Sequence, residues 1–564
     1  MTETKKLMTA RGETLRGTPW QAYPRPQMKR ENWMNLNGAW DFAVNYENQG
    51  LIRVPFCPES TLSGHGRHYE EESLLCYTRR FTLPEGFDRG RVILHIGAAD
   101  QRTSVFLNGK PVGEHKGGYN AFSFDITAFL KEENHLQICC FDDLEDQTYP
   151  YGKQVLPSKR GGMWYTPVSG IWQTVWLESV PQTYIEKLHI ENRGYSVKIS
   201  VEPALDGTVE VAGLGSFPLE NGSVTVAPEC PRLWSPEDPY LYDFTIEAGE
   251  DRIESYFAIR SLEVKKVGKY PRLCLNGKPY FFHGLLDQGY WPDGIFTPAA
   301  PECYADDILM MKKLGFNTLR KHIKVEAEEF YYQCDKLGMI VWQDMVNNSD
   351  YNFKRDTALP TVGIQKLNDT RLHTDPTDRK RFLETMEATV KQLKNHPCIC
   401  YWTIFNEGWG QFDSNHVYEK LKKLDDTRFI DSTSGWFRRK KTDVDSRHVY
   451  FRKVALKGDG VKPLVLSEFG GKTYKAEGHI FNSEKAYGYG GCETLEALNE
   501  AVVRLYTDEI IPCIGKGLCA SIYTQVSDVE DEINGLVTYD RKVEKLDAAK
   551  MLPIAAALQQ AVEE

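Results

Sequence analysis

From Lys265 onward, eight short apolar segments recur over about 300 residues, several of them followed by a stretch patterned for a helix, and few folds accommodate that alternation. The expected strands are 280–284, 317–321, 339–343, 399–406, 428–432, 447–450, 464–468 and 518–524. Between the third and fourth, Phe382, Met386, Val390 and Leu393 recur every three to four residues with charges elsewhere. That is one buried helix face, which Thr377 or Asp378 can cap. Residues 303–314 and 493–511 read the same way. Eight strands alternating with helices predict a (β/α)8 TIM barrel over 266–564. An open doubly wound sheet would need a glycine-rich phosphate loop after its first strand, and none is present. The connections 344–377 and 469–492 exceed ordinary loop length, and both leave the C-terminal ends of strands, the face on which barrels carry chemistry.

The residues before the barrel have a different grammar. Segments 92–96, 103–107, 122–126, 136–141 and 173–177 are short, alternating and split by Gly, Asn and Asp; Phe122, Phe124 and Ile126 show the period of two. Residues 1–181 are therefore expected to form an antiparallel β-sandwich of jelly-roll type. The pattern resets near Pro181. Val197/Ile199/Val201, Val209/Val211, Val224/Val226 and Tyr242/Phe244/Ile246 alternate through a further eighty or so residues, which suits a small immunoglobulin-like sandwich over 182–265. A chain of 564 residues is too long for one core, so a multidomain β plus α/β protein is expected.

Composition serves mainly to exclude. The net charge is −11 and no long basic run occurs, so the electrostatic footprint of a nucleic-acid binder is missing. No apolar run approaches the ~20 residues of a membrane helix, and the first residues lack a signal-peptide core, so a soluble cytoplasmic protein is expected, with no membrane partner. The 13 cysteines show neither zinc nor disulfide-scaffold spacing and are expected to stay reduced. The 13 histidines are dispersed without a His-Glu-x-x-His pair, so neither metal nor cofactor is expected. No Gly-x-Ser-x-Gly elbow follows a strand. A homo-oligomer is compatible with all of this.

Two carboxylates stand out by position: Glu407 directly follows the apolar run 399–406, and Glu468 ends the run 464–468. Glutamates at two barrel strand ends can be held ~5–5.5 Å apart, the spacing of glycosidic hydrolysis with retention. That chemistry needs one carboxyl protonated and the other ionised. The plain alternative is a pair of strand-end glutamates neutralised by Arg or Lys.

The flanking residues decide between these. Asn395-His396-Pro397 with Trp402-Thr403-Ile404-Phe405-Asn406-Glu407-Gly408-Trp409 resembles the acid/base segment of glycoside hydrolase family 2. Pro463-Leu464-Val465-Leu466-Ser467-Glu468-Phe469-Gly470-Gly471 resembles its nucleophile segment. The resemblance extends along the whole chain. Asn35 to Phe42 and Met163 to Trp172 resemble the sugar-binding-like domain; Leu233 to Tyr242 and Tyr256 to Arg260 resemble the middle sandwich, with Ala258 where the family usually has Gly. It implies Glu407 as acid/base, Glu468 as nucleophile, Asn406 on the sugar 2-hydroxyl, and Arg320 supporting the ionised nucleophile. Tyr450 is a candidate donor to Glu468. Asp287 is placed to hold sugar hydroxyls and Trp291 to stack on a ring; Lys321, His322, Trp342, Gln343 and Asp344 are further candidates at the rim. The expected activity is retaining exo-hydrolysis of a terminal β-linked sugar, β-galactosidase-like, on an oligosaccharide or glycoside. A β-mannosidase-like or other specificity, transglycosylation, and a non-catalytic carbohydrate-binding protein on the same scaffold stay open. The family's Ser-His-Tyr-Pro-like segment reads Lys321-His322-Ile323-Lys324 here. The Asn-x-Lys pair that glucuronidases use for the uronate carboxylate is absent near Asn534-Gly535-Leu536.

Overall fold

A computed structural model describes residues 6–70, 72–366 and 368–564, so the first five residues of the expected N-terminal unit lie outside the described residues. All eight strands expected after Lys265 are present in one parallel sheet. In chain order they are β1 Phe282–Asp287, β2 Thr318–Lys321, β3 Ile340–Asp344, β4 Ile399–Asn406, β5 Phe429–Ser434, β6 Asp445–Val449, β7 Leu464–Gly470 and β8 Leu518–Thr524. The ladder runs β5-β4-β3-β2-β1-β8-β7-β6. Its two ends meet where the Asp443 amide donates to the Ile430 carbonyl at 2.9 Å and Ser434 Oγ lies 3.4 Å from Ser446 Oγ, so the barrel is nearly closed. β1 to β5 and β8 are buried at every residue. Parallel strands covered on both faces are largely apolar, which is why β4 and β8 read as runs and not as alternations; the charged residues of β2, β3 and β5 are paired inside the barrel.

Helix Pro376–Leu393 buries Phe382, Met386, Val390 and Leu393 as expected. Its cap is two residues before the nearer of the expected ones: Asp375 accepts from the Thr377 amide at 2.7 Å, and Pro376 takes the first helical position. The helix expected over 493–511 is Leu495–Leu505, followed by a π turn at Tyr506–Ile510. Pro512, which cannot donate to the preceding turn, accounts for the break.

The N-terminal part is a sandwich of a six-stranded and a four-stranded antiparallel sheet. In Gly38–Val44, Trp40, Phe42 and Val44 enter the shared core while Ala39 and Asp41 face water. The middle part packs a three-stranded sheet on a four-stranded one around its own core, including Ile199, Val209 and Phe244. Two departures appear. Residues near the N-terminus lie on the barrel: the Thr9 amide and hydroxyl donate to Asp293 at 2.9 and 2.6 Å, and Trp20 Nε1 donates to the Pro298 carbonyl at 2.9 Å. The cysteines are not all reduced. Cys76 and Cys139 stand directly opposite on neighbouring antiparallel strands and form a disulfide, a pairing 63 residues apart that no local spacing announces. Among the described residues no helix is long and apolar enough to cross a membrane.

The middle sandwich fixes the strand that matters most. Buried Arg260 donates to the Pro397 and Ile399 carbonyls at 2.6 and 2.7 Å, at the start of β4. Asp335 gathers the Tyr256 hydroxyl and the His396 ring, each at 2.7 Å. Trp234 Nε1 donates to the Asp335 carbonyl at 2.8 Å. The motif residues Trp234, Tyr256, Arg260 and His396 thus form an interdomain lock behind the strand that delivers Asn406 and Glu407.

Candidate active site

Arg320, on β2, is fully buried in the barrel mouth, and its guanidinium organises the surrounding strand ends. Nε donates to Asp344 at the end of β3 (3.0 Å), Nη2 to Asn406 Oδ1 at the end of β4 (2.9 Å), and Nη1 to both Glu468 Oε1 and the Ser467 carbonyl on β7 (3.0 Å each). A planar fork of fixed donors suits this task better than a lysine would. His322 closes the far side, with Nδ1 2.7 Å from Asp344 Oδ2.

Glu468 also receives the Tyr450 hydroxyl at 2.6 Å and lies 3.6 Å from His448 Nδ1. Burial alone would raise its carboxyl, but the charges of His448 and Arg320, with the Tyr450 hydrogen bond, outweigh burial and hold it at about 2. Glu407 is treated differently. Burial pushes its carboxyl up, the neighbouring Glu468 charge adds to that, and the His448 hydrogen bond at 2.7 Å only partly offsets both. The site therefore holds an ionised carboxylate beside a carboxyl biased toward its protonated form. One oxygen of each, with His448 Nδ1, lies within 4.8 Å of the others; among the described residues this is the one acidic and imidazole set gathered closely enough to hold a cation as well.

Backbone geometry keeps Glu407 out of Arg320's reach. Its φ is +55°, a left-handed conformation that costs a non-glycine residue about 1–3 kcal/mol and persists only where surroundings impose it. Here the Glu407 amide donates to the Ser434 carbonyl at 3.0 Å and its carbonyl accepts from Trp436 Nε1 at 3.1 Å. Gly408 follows at φ +81°, where a Cβ would lie 2.5 Å from the Phe437 ring. The Asn-Glu-Gly sequence is what this turn demands.

Of the residues singled out in the sequence, Arg320, Asp344, Asn406, Glu407, Tyr450 and Glu468 converge here. Asp287 lies at the end of β1 but is bonded to Lys321 Nζ at 2.7 Å and to the Gly289 amide at 2.9 Å. Two tryptophans do not fit a rim role. Trp342 is fully buried, stacked on Tyr401 with ring centroids 4.0 Å apart, as part of the barrel core. Trp291 is 3% exposed, and the Arg541 guanidinium lies over its ring at 4.1 Å, so no sugar can stack on that face. Position along a strand end did not reveal which way these rings turn. His448 was missed. It lies two residues before Tyr450, hence on the same face, but a register shift between Arg447 and His448 turns the imidazole fully inward, and sequence gives no sign of that. Both long connections do reach the site. Phe353 and Pro360 from the first, and Tyr487 and Tyr489 from the second, wall a cavity of about 560 Å³ above Glu407, His448 and Tyr450.

Comparison with known families matches this architecture unit by unit. The model described as "Glycosyl hydrolases family 2, TIM barrel domain" matches residues 266–546, that family's sugar binding domain matches 66–181, and a third model of the family matches 183–260. The chain belongs to glycoside hydrolase family 2. A β-galactosidase of Thermoanaerobacter pseudethanolicus is 23% identical to this family 2 chain over 421 residues, 69% of this chain and 52% of that one. A β-glucuronidase of Bacteroides fragilis is 24% identical over 446 residues, 71% and 60% respectively, so the match spans little more than half of these relatives. The solved β-D-glucuronidase of Dictyoglomus thermophilum has the same fold, with a TM-score of 0.71 at 20% identity over 96% of this chain and 98% of that one.

Proposed function

We propose that this chain is a retaining exo-glycosidase that removes a terminal β-linked sugar through a covalent glycosyl-enzyme intermediate. The observation that carries the reading is the pair Glu407 and Glu468, with oxygens within 4.8 Å of each other and environments that drive their protonation apart. Inverting enzymes need carboxyls about 6.5–9.5 Å apart to seat a water, and retaining ones about 5–5.5 Å. Glu468, ionised, attacks the anomeric carbon. Glu407 donates its proton to the departing oxygen, then takes one from the water that releases the sugar. His448 steadies Glu407 through that reversal. Asn406 has its amide oxygen committed to Arg320, which leaves the Nδ2 protons for the sugar 2-hydroxyl. Arg320 and Tyr450 are positioning residues for Glu468. The two long connections that wall the cavity above Glu407 support exo action. The unit boundaries 1–181, 182–265 and 266–564 belong to the same reading, supported by a core within each sandwich and a barrel core that residues of both sandwiches also join.

The test is a panel of nitrophenyl α- and β-glycosides, neutral and anionic, with the first-formed product followed by proton NMR before mutarotation. The expected first product is the β anomer from a β substrate. Initial release of the α anomer would remove Glu468 as nucleophile.

A further inference from the structure

Among the described residues four lysines are buried: Lys153, Lys321, Lys324 and Lys545. Lys321 pairs with Asp287 and Glu326, Lys324 with Glu326, and Lys545 with Asp528. Among the described residues no hydrogen bond or salt bridge reaches Lys153 Nζ, and the Trp164 ring lies 5.7 Å away. The Lys153 side chain is nine-tenths buried, yet its ammonium has no carboxylate in contact and is not sealed from solvent, which leaves it free to pair with an anionic ligand.

The backbone around Lys153 places it over the barrel mouth, although the residue comes from the N-terminal part of the chain. The Tyr151 amide donates to the Asn347 carbonyl at 3.0 Å and the Tyr151 hydroxyl to the Ser349 carbonyl at 2.9 Å, both just beyond β3. Gly152, at φ +65°, lies so close to the loop after β2 that a Cβ would be 2.9 Å from the Ile323 carbonyl oxygen. On the other side, the Tyr165 amide donates to the Lys153 carbonyl at 3.1 Å, and the Tyr165 hydroxyl donates to Glu532 beyond β8. Glu532 in turn accepts from Asn534 at 3.0 Å. Lys153 is thus held between the ends of β2, β3 and β8, and Glu407, His322 and Glu532 all lie within reach of its field. This is the side of the mouth that carries Asn534-Gly535-Leu536.

We propose that Lys153 binds the carboxylate of a terminal uronic acid, so that the substrate is a β-glycosiduronide and its anionic group is read by a lysine of the N-terminal domain. The assignment rests on the glycosidase reading above and narrows its sugar. Carboxylate and ammonium would form a charge-assisted hydrogen bond in a site that excludes most water, where such bonds are strongest.

The test compares wild type, Lys153→Met and Lys153→Arg on nitrophenyl β-D-glucuronide and β-D-galacturonide against the matching glucoside and galactoside. A uronide should be the best substrate. In Lys153→Met the uronide-to-neutral ratio of kcat/KM should fall by roughly 10²-fold, the usual scale for losing one partner of a buried charged pair, and Lys153→Arg should recover much of it. The two folded variants are matched by thermal melting, and if Lys153→Met does not fold, Lys153→Gln replaces it. A wild type that prefers neutral sugars, or a variant that loses both classes equally, overturns the role of Lys153 and leaves the glycosidase reading standing. Calorimetric binding of free D-glucuronate or D-galacturonate, with no glycoside hydrolysed, would reject the glycosidase reading and keep Lys153 as the anion's ligand.

Discussion

Glu468 and Glu407 share a cavity and an imidazole, yet their surroundings differ in kind. Glu468 lies within a strand, facing Arg320 from β2 and both His448 and the Tyr450 hydroxyl from the end of β6, and these three stabilise its charge. Glu407 sits one residue beyond a strand, in a left-handed turn, and its single close side-chain partner is His448. Arg320 cannot serve both, because its fork is already spent on Asp344, Asn406, Ser467 and Glu468. Where each glutamate sits relative to its strand end thus decides its protonation. Burial acts alike on the two; the placement of donors separates them.

The comparison breaks most sharply at Glu468. Glu468→Ala should lower turnover by roughly 10⁵-fold or more for every leaving group, since no other group on that side can attack the anomeric carbon. Initial rates on a natural glycoside and on its dinitrophenyl analogue check this; normal activity toward either would reverse the comparison. Glu407→Ala should cost roughly 10²–10⁴-fold on poor leaving groups and far less for glycosylation by a dinitrophenyl glycoside, which departs unaided. Azide, which needs no base, should accelerate that variant and yield the β-glycosyl azide. The α-azide would mean that the two roles are exchanged.

Smaller changes sharpen the comparison. Arg320→Met removes the charge that holds Glu468 ionised, with an expected loss of roughly 10²-fold in kcat/KM and about 3–5 kcal/mol of stability from the stranded Asp344 and Glu468 carboxylates. The pH profile gives the sign. Glu468 must be ionised, so the acid limb of wild type follows its lowered carboxyl, and the limb should move upward in Arg320→Met. Glu407 must be protonated, so the alkaline limb follows its raised carboxyl and should stay in place. Movement of the alkaline limb instead would place Arg320's influence on the wrong carboxylate. Tyr450→Phe removes one hydrogen bond, with about 10-fold lost in kcat/KM and a slight rise of the acid limb.

The parts of this site legible in sequence are those that strand ends and glycine turns dictate. Strands β4, β7 and β8 announce themselves as apolar runs and the alternation with helices supplied the others, and Glu407 and Glu468 followed from where the runs of β4 and β7 stop. Interdomain contacts were not legible. Asn395-His396-Pro397 and Arg260 could be noticed as motifs, but their bond network spans 137 residues of chain and emerges only when the domains pack. Trp291 and Trp342 occupy strand-end positions that look like rim, yet ring orientation depends on Arg541 and Tyr401, partners far away in sequence. His448 was hidden by a register shift and Lys153 by domain packing. In both cases one backbone choice, made elsewhere, turns a side chain into the site.

The central claim is that Glu468 alone forms the covalent bond to sugar, and trapping that bond tests it most directly. A dinitrophenyl 2-deoxy-2-fluoro-β-glycoside of the preferred sugar slows release of the intermediate, so one equivalent of dinitrophenolate should appear in a burst and the protein should gain one fluorosugar. Peptide mapping by tandem mass spectrometry should place that mass on Glu468, while Glu407→Ala, still able to form the intermediate, should label at the same residue. A label on Glu407, or a full burst with Glu468→Ala, would contradict the account.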